Sequence, residues 1–269
     1  MSMDATLKPL TSRIALLRCD SERKPKATFF GCRGDDAIKP NNYEAITVIT
    51  ESVNKQTTNN KLYDTNKAKF ITFEGIEGCG KSTQCKLLYD YLLSKNIKVI
   101  LTREIGGVES SEAIRDIVVN SELLPLSELM LVMAARHEHI QKLILPKLQD
   151  NYWVICDRFV DSTACYQGLY PEIGVNKIYR LHQELMLNLL PDITYLVDLE
   201  PTEALSRALR RDNNNKFEDK DLGFHQKIYQ GFHNLAEQFP QRISKIVANN
   251  LTQEEVHTEI LKFSPPYLE

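Results

Sequence analysis

The chain has 269 residues, of which 42% are hydrophobic and 26% are charged, an ordinary composition for a globular protein. Its net charge of −3 provides no overall attraction to nucleic acid or to an anionic membrane. No apolar run approaches the roughly 20 residues that a membrane-spanning helix needs, so we expect neither a nucleic acid polymer nor a membrane as a partner.

The first 66 residues differ in composition from the rest of the chain. Residues 55–67 are polar and offer few side chains that could be buried in a core, which is typical of a linker. We therefore predict a poorly ordered N-terminal extension over residues 1–66, followed by a folded domain over residues 67–269.

From residue 67 onward, strand patterns alternate with helix patterns. Unbroken apolar runs predict five strands, at residues 69–75, 97–104, 152–158, 192–200 and 243–249. The intervals predict helices, among them residues 109–120 and a long helix over residues 125–150 that Pro125 is placed to begin. Apolar strands separated by helices indicate a parallel sheet covered on both faces, so we predict a three-layer α/β/α fold with a five-stranded parallel sheet. The ligands of such sheets bind at the carboxyl ends of the strands.

A glycine-rich segment follows the first predicted strand. Residues 75–82 read GIEGCGKS and match the phosphate-binding pattern G-x-x-x-x-G-K-[ST] between a strand and a helix. In this pattern backbone N–H groups face phosphate oxygens, Lys81 carries a positive charge to the β- and γ-phosphates, and the Ser82 hydroxyl reaches Mg²⁺. The residues expected to bind the nucleotide are Gly75, Ile76, Glu77, Gly78, Cys79, Gly80, Lys81, Ser82 and Thr83.

Charged side chains follow two further strands at the same edge of the predicted sheet. Arg103 lies at the end of the second strand, and Asp157 and Arg158 lie at the end of the third, while Arg136 lies on the long helix between them. Asp157 is placed to bind Mg²⁺ together with Ser82. Because the guanidinium fork of arginine binds phosphate through two hydrogen bonds, several arginines around one cleft indicate an anionic acceptor opposite ATP.

Other classes of protein with such a loop fit the sequence less well. A GTPase would carry an N-K-x-D segment that reads the base, and the sequence contains none. A helicase or motor would be larger and would contribute arginines across subunits. A kinase for a small molecule is therefore favoured, and a non-catalytic nucleotide-gated regulatory protein is the alternative from another class.

The cysteines and one pair of histidines give no disulfide or metal signature. The six cysteines form no C-x-x-C pair, which favours a reducing cytoplasm over a disulfide framework. His137 and His139 are two positions apart on a predicted helix and face different directions, so we expect a solvated helix face here rather than a metal site.

Three further segments carry a resemblance to a known family. They are TREIGG (residues 102–107), AARHEH (residues 134–139) and DRFVDSTACYQG (residues 157–168). Together with the glycine-rich segment they resemble the thymidylate kinases, a family of nucleoside monophosphate kinases, over residues 69–263. The resemblance implies phosphoryl transfer from ATP to dTMP, giving dTDP for dTTP biosynthesis, with Mg²⁺ and on a homodimer.

The resemblance also implies which side chains bind dTMP. They are Glu77, Arg103, Arg136, Arg158, Ser162, Tyr166 and Gln167. Glu77 would accept a hydrogen bond from the 3′-hydroxyl, Arg103 and Arg158 would hold the phosphate, and Arg136 would reach the thymine edge. The serine and the glutamine would line the nucleoside pocket. Tyr166 would occupy the space that a ribose 2′-hydroxyl needs, which favours deoxynucleotides.

A mobile lid is implied over about residues 208–221, where the sequence is polar and rich in asparagine. One form of the family carries a catalytic arginine in the glycine-rich loop, where this chain has Gly78, and another form carries it in the lid. The lid should therefore supply the cation here. Lys216 is the first candidate and Arg211 the second, and they join Lys81 and Arg158 as expected catalytic residues.

One departure from the family pattern bears on recognition of the base. Val132 lies one helical turn before Arg136, where the family usually has a phenylalanine that stacks on thymine. Met130 or Met133 could replace part of that contact, because methionine packs well on aromatic rings. A kinase for another nucleoside monophosphate therefore remains an alternative, and the sequence does not decide between dTMP and dUMP.

Overall fold

Five parallel strands form one sheet in the computed structural model, which describes residues 62–210, 216–217 and 220–263. The strands are β1 (Phe70–Glu74), β2 (Val99–Arg103), β3 (Trp153–Asp157), β4 (Ile193–Asp198) and β5 (Ile243–Val247). Their order in the sheet is β2-β3-β1-β4-β5, and every neighbouring pair is parallel. All five predicted strands are confirmed.

Helices occupy the intervals between the strands. They are α1 (Lys81–Ser94), α2 (Glu109–Asn120), α3 (Pro125–His139), α4 (Leu145–Gln149), α5 (Val160–Tyr166), α6 (Val175–Leu185), α7 (Pro201–Ala208), α8 (Leu222–Gln238) and α9 (Gln253–Lys262). Helix α1 packs on α9, and α5 packs on α6 and α8. The predicted α/β fold is confirmed. In the described part of the chain, no helix is both long and apolar enough to cross a bilayer.

The central strand is buried along its whole length. All five residues of β1 are buried, whereas the edge strands β2 and β5 expose some of their residues. Because β1 is covered on both faces, a polar side chain there loses contact with water, and this loss costs free energy unless a partner in the protein replaces the water. Phe70 packs edge-on against Phe159 at 4.9 Å between ring centres, and Phe73 packs against Tyr195 at 5.3 Å. These contacts anchor β1 in the core, and the glycine-rich segment begins at its carboxyl end.

The long helix predicted over residues 125–150 is divided. Helix α3 begins at Pro125, as expected, but a π-helical turn over Ile140–Ile144 separates it from α4. Pro146 has no N–H group, and its ring crowds the carbonyl four residues earlier, so a regular α-helix cannot continue unchanged through this position. The expectation of one continuous helix is therefore wrong at this point.

The boundary expected at residue 67 lies close to the start of the described residues. Leu62 and Tyr63 pack against the core, and the Tyr63 hydroxyl donates to Asp192 Oδ2 at 2.6 Å. The same Asp192 oxygen accepts the Phe70 N–H at 2.8 Å, so these residues are tied to the start of β1. Residues 1–61, most of the predicted extension, lie outside the described residues, and the boundary stays a prediction.

A buried ion pair joins α5 to the segment before β5. Arg242 donates to both oxygens of Asp161, at 2.6 and 2.7 Å, and the Tyr179 hydroxyl also donates to this carboxylate. Asp161 is fully buried. Burial alone would raise the pKa of Asp161, but the charge and hydrogen bonds of Arg242 outweigh burial and hold the pKa below its usual range. The pair fixes the first turn of α5.

We expect Asp161→Asn to lower the free energy of unfolding by about 3–5 kcal/mol, because it leaves the buried Arg242 charge without its partner. Urea unfolding at pH 7 measures this change. The matched control is Asp90→Asn, which breaks the exposed Lys86–Asp90 pair and should alter the free energy of unfolding little. Equally small changes in both variants would contradict a structural role for the buried pair.

The stability difference between the parent protein and Asp161→Asn should also depend on pH. A carboxylate whose pKa is lowered by folding stabilises the fold above its unfolded pKa of about 4, and this contribution is lost as the pH falls through the folded value. The difference should be constant near neutral pH and should narrow below about pH 4. A difference that widens on acidification would refute the direction of the shift.

Candidate active site

The phosphate loop (residues 75–82) leaves the carboxyl end of β1 and runs into α1. Lys81, the first residue of α1, is buried, and its Nζ donates to the backbone oxygen of Ile76 at 2.7 Å. The Cys79 sulfur lies 3.6 Å from the same ammonium group. The lysine side chain is therefore folded back over the loop. Its positive charge lies beside a helix N-terminus, an arrangement that attracts a phosphate group.

Two glycines of the phosphate loop disfavour a side chain for different reasons. Gly78 has a φ of +77°, and a Cβ added there would lie 1.9 Å from the backbone oxygen of Ala204 in α7. Gly80 has a φ of +102°, but a Cβ added there would meet no atom within 4 Å. Gly78 is thus required by packing as well as by backbone conformation. This contact is a physical reason why no arginine stands at this position of the loop.

Ser82 and Asp157 meet at the carboxyl end of the sheet. The Ser82 hydroxyl donates to Asp157 Oδ2 at 2.5 Å. A hydroxyl and a carboxylate are oxygen ligands of the kind that Mg²⁺ prefers, and Mg²⁺ completes its shell with water and nucleotide phosphates. Among the residues described, no group of three or more His, Cys, Asp or Glu side chains could hold a metal. The oxygen atoms of Ser82 and Asp157 are suited to a magnesium ion that also binds a nucleotide phosphate.

The guanidinium group of Arg158 links the phosphate loop to α5. Its Nη1 donates to the backbone oxygen of Gly75 at 3.0 Å and to Ser162 Oγ at 2.9 Å, while Nη2 donates to Glu77 Oε1 at 3.1 Å. The Tyr166 hydroxyl donates to the other Glu77 oxygen at 2.5 Å. The structure thus brings four of the predicted acceptor-binding residues into one hydrogen-bonded network, which we call the Arg158 network.

Burial and charge set the protonation states of the Arg158 network. Burial alone would raise the pKa of Glu77, but the charges of Arg158 and Lys81 outweigh it, and the pKa is lowered. Burial alone would lower the pKa of Arg158, but the neighbouring Tyr166 and Glu77 outweigh it, and the pKa is raised. Glu77 is therefore ionised and Arg158 is positively charged at neutral pH.

A pocket of about 620 Å³, including its open mouth, lies beside the Arg158 network. Its apolar walls are formed by Ile105, Val118, Val119, Val132, Phe159 and Phe217. Its lining includes every residue that we expected to bind the acceptor except Arg103: Glu77, Arg136, Arg158, Ser162, Tyr166 and Gln167. Apolar walls with a few converging polar groups are typical of a site for a small organic ligand.

Arg136 enters this pocket from α3. Its side chain is 2% exposed, and it donates through Nε to Glu104 Oε2 and through Nη2 to Thr163 Oγ1, both at 2.7 Å. Its guanidinium carbon lies 5.1 Å from the centre of the Phe159 ring. The remaining nitrogen, Nη1, makes a weak contact of 3.8 Å with the Met133 sulfur. The protein therefore holds Arg136 in place through two nitrogens and leaves the third able to bind a ligand.

Sequence reasoning missed Glu104, the partner of Arg136, and misplaced His139. Glu104 Oε1 lies 3.2 Å from His139 Nδ1, and His139 Nε2 lies 2.7 Å from Thr102 Oγ1. His139 is fully buried, so the expectation of a solvated position is wrong for this histidine, although His137 is exposed. Burial alone would raise the pKa of Glu104, but the charge of Arg136 outweighs it, and the pKa is lowered. The sequence signal that could have indicated Glu104 is its position directly after β2, where a charged residue meets the site.

A different arginine lines the pocket in place of Arg103. The Arg103 side chain is 54% exposed and pairs with Glu112 at 2.8 Å. Arg115 of α2, which sequence reasoning missed, lines the pocket and donates to the Ile105 backbone oxygen at 2.8 Å. Burial and then repulsion from Arg103 lower the pKa of Arg115, with a smaller repulsion from Arg158. The three arginines therefore face one region, although the sequence pattern of α2 gave no sign of Arg115.

The described lid residues meet the pocket on its α3 side. The Lys216 Nζ donates to Glu128 Oε2 at 2.6 Å, and Gln167 Nε2 donates to the other oxygen of Glu128 at 2.8 Å. Phe217 lines the pocket. Lys216, the first candidate for the lid cation, is thus bound on the acceptor side. Arg211, the second candidate, lies outside the described residues.

Neither methionine that we expected near the base lines the pocket. Val132 lines the pocket, but Met130 is 62% exposed, and neither Met130 nor Met133 is part of the lining. Met133 approaches the pocket only through its sulfur, 3.8 Å from Arg136 Nη1, so compensation for Val132 by a methionine stays a prediction. Phe217 presents an aromatic ring there instead, 5.6 Å from the centre of the Tyr166 ring.

A phosphate loop at the end of β1 and an arginine-lined pocket beside it define a phosphate-loop kinase that acts on a small anionic acceptor. Comparison with known proteins specifies the family. The family model for thymidylate kinase matches residues 73–260 of the chain. The chain belongs to the thymidylate kinase family.

Individual relatives are similar over most of the chain. It is 53% identical to the thymidylate kinase of Rickettsia typhi over 196 residues, which are 73% of this chain and 97% of that protein. It is also 53% identical to the thymidylate kinase of Rickettsia bellii (strain RML369-C) over 193 residues, 72% of this chain and 94% of that protein. The crystal structure of thymidylate kinase from Ehrlichia chaffeensis has a TM-score of 0.58 and 36% identity, and the match covers 72% of this chain and 97% of that one.

We expect Gly78→Ala to lower the melting temperature and to weaken ATP binding more than Gly80→Ala does. Both substitutions strain a backbone with positive φ, but only the first forces Ala204 of α7 to move. Thermal unfolding and titration calorimetry with ATP measure the two effects. Equal effects in the two variants would mean that contact with α7 does not constrain the phosphate loop.

Proposed function

We propose that this protein transfers the γ-phosphoryl group of ATP to dTMP and gives dTDP, a step in dTTP biosynthesis. The observation that carries the proposal is the position of Arg158 between the phosphate loop and the pocket. One guanidinium group there can contact the acceptor phosphate while it remains bonded to the loop that holds the donor. The choice of dTMP as acceptor is supported by the relatives, such as the Rickettsia typhi protein, that are named thymidylate kinase.

The pocket residues divide the recognition of dTMP between them in this proposal. Arg158 holds the acceptor phosphate together with Arg103, whose exposed side chain can turn inward from the pocket edge. Arg136 donates from Nη1 to the thymine edge. Glu77 accepts a hydrogen bond from the 3′-hydroxyl. The Tyr166 ring, held by its bond to Glu77, fills the space of a 2′-hydroxyl, so ribonucleotides are excluded.

The nucleoside lies between a polar side and an apolar side of the pocket in this proposal. Ser162 and Gln167 form the polar side, and Gln167 is fixed by its bond to Glu128. Val132 and Phe217 provide apolar surface for the base. Because Val132 leaves more room than an aromatic residue would, the lid residue Phe217 becomes part of base recognition.

The donor side is the phosphate loop with its metal pair. Residues 75–83 bind the ATP phosphates, and Lys81 neutralises charge on the β- and γ-phosphates. Ser82 and Asp157 hold Mg²⁺ through their oxygens. A magnesium ion held there would supply positive charge that offsets the negative charge of the ATP phosphates.

The transfer needs positive charge more than it needs acid–base chemistry. An oxygen of the dTMP phosphate attacks the γ-phosphorus, the bond to the β-phosphate oxygen breaks, and ADP leaves with that oxygen. Charge then spreads over the equatorial oxygens of the group in transit, where Lys81, Arg158 and a lid cation can stabilise it. We assign the lid cation to Lys216 and, second, to Arg211. Lys216 must leave Glu128 to reach the γ-phosphate, so the lid changes position during the reaction.

We further propose that the kinase domain, residues 67–269 with a lid over about residues 208–221, acts as a homodimer in the cytoplasm. A dimer is supported by apolar side chains exposed on or beside α2 and α3: Ile117, Leu124, Leu126 and Met130. A reducing compartment suits the free cysteines of the described chain, which are Cys79, Cys85, Cys156 and Cys165.

We expect the protein to convert dTMP and ATP to dTDP and ADP, and Arg158→Ala to reduce kcat by about 100-fold or more. ATP binding should change little, because the phosphate loop keeps its own backbone donors. A coupled assay of ADP release measures turnover, and titration calorimetry measures ATP affinity. The matched control is Arg180→Ala on the exposed side of α6, which should behave like the parent protein.

An acceptor panel of dTMP, dUMP, dCMP and UMP separates the alternatives. If dTMP and dUMP were both turned over slowly and another monophosphate rapidly, that monophosphate would be the acceptor and the assignment of dTMP would be wrong. A nucleotide-gated regulatory protein would show negligible transfer to every acceptor, and Arg158→Ala would then leave its function intact.

We expect Lys216→Ala to lower kcat by about 10-fold or more while KM for both substrates changes less, because a lid cation contributes chiefly in the transition state. Steady-state kinetics with each substrate varied in turn measures this split. The matched control is Lys220→Ala, which removes an exposed lysine of the expected lid. Parent-like kcat in Lys216→Ala would reject the assignment of Lys216 and favour Arg211.

A further inference from the structure

We propose that Glu74 is a positioning residue that orients Arg158 and Ser162 for the acceptor phosphate, an inference that rests on the proposed function. Glu74 is the last residue of β1 and directly precedes the phosphate loop, but it lies outside the G-x-x-x-x-G-K-[ST] pattern. It is 1% exposed and does not line the pocket. A buried carboxylate at this place must have partners in the protein, and those partners indicate its role.

Glu74 caps α5 from the neighbouring strand. The first N–H groups of a helix have no acceptor within the helix, and the residue that precedes α5, Phe159, supplies no side-chain cap. Glu74 Oε1 fills this role, because it accepts the N–H of Phe159 at 2.7 Å and the N–H of Ser162 at 3.2 Å. The start of α5 is therefore fixed relative to β1 by one carboxylate oxygen.

The cap lies directly after a strained residue. Arg158 has a φ of +72°, a conformation that is unfavourable for any residue with a Cβ. Its own N–H donates to the backbone oxygen of Phe73 at 2.9 Å, and the next N–H, that of Phe159, donates to Glu74. These two bonds hold the chain on both sides of the Arg158 Cα and so keep its side chain directed at the phosphate loop.

Glu74 also sets the direction of the Ser162 hydroxyl. Ser162 Oγ donates its proton to Glu74 Oε2 at 2.5 Å. A serine hydroxyl has one proton, and here Glu74 accepts it. Ser162 Oγ can therefore act only as an acceptor toward Arg158, whose Nη1 donates to it at 2.9 Å. The guanidinium group is thereby held between the serine and the phosphate loop before any acceptor binds, which lowers the entropy lost on binding.

The primary test is Glu74→Gln, which keeps an oxygen for the two N–H groups but replaces the acceptor of the Ser162 proton with a donor. The amide then competes with Arg158 for the serine oxygen. We expect about a 10-fold or greater rise in KM for dTMP and a lower kcat, with KM for ATP unchanged. Steady-state kinetics with each substrate varied in turn measures this split.

A double-substitution cycle tests the route through Ser162. If Glu74 acts through the serine hydroxyl, Glu74→Gln combined with Ser162→Ala should be no worse than Ser162→Ala alone. Purely additive losses would overturn the proposed route. Parent-like KM and kcat for dTMP in Glu74→Gln would overturn the proposal as a whole.

Two further variants separate positioning from stability. Glu255→Gln alters another capping carboxylate, at the start of α9 and outside the site, and should affect stability without affecting KM for dTMP. Glu74→Asp keeps the carboxyl group but shortens its reach, so it tests the same split between KM for dTMP and KM for ATP if Glu74→Gln does not fold. Unchanged dTMP kinetics in folded Glu74→Asp would overturn the inference. Absence of dTMP phosphorylation by the parent protein would instead reject the proposed function.

Discussion

The partly buried guanidinium group of Arg158 is the interaction that joins the acceptor pocket to the phosphate loop. A positive charge that is largely removed from water needs partners, and Arg158 is paired with Glu77 and bonded to the backbone of Gly75. These partners belong to the phosphate loop, whereas Arg158 itself follows β3. The donor loop and the wall of the acceptor pocket are therefore not independent parts, because a shift of either would leave a charge without its partner.

Local pattern was sufficient to predict the sheet and the residues at its carboxyl edge. The five strands, the phosphate loop and the helix that begins at Pro125 follow from short stretches of sequence with strong physical requirements. Arg158 was placed at the pocket because parallel strands bring their carboxyl ends to one edge, whereas the position of Arg136 came from the family resemblance. These inferences need the order of elements along the chain and no knowledge of side-chain packing.

The rest of the site depends on contacts between residues far apart in the chain. Glu104 and His139 are 35 positions apart, and nothing local distinguishes a buried histidine bonded to a carboxylate from a solvated one. Arg115 reaches the pocket because of the way α2 packs on α3, whereas Arg103 is drawn outward by Glu112. In both cases the position of the side chain depends on a residue from another element, and the spacing of residues along one helix does not identify that residue.

The charges of the pocket are arranged for a ligand that carries negative charge of its own. Arg136 is balanced by Glu104 and Arg158 by Glu77, so most of the buried positive charge is already neutralised inside the protein. Arg115 forms no ion pair among the described residues, and burial and repulsion from Arg103 lower its pKa, although the charge of Glu112 opposes this shift. An anion in the pocket would relieve that repulsion, whereas a neutral nucleoside would leave it in place. The unpaired positive charge of Arg115 therefore favours a phosphorylated acceptor over a neutral nucleoside.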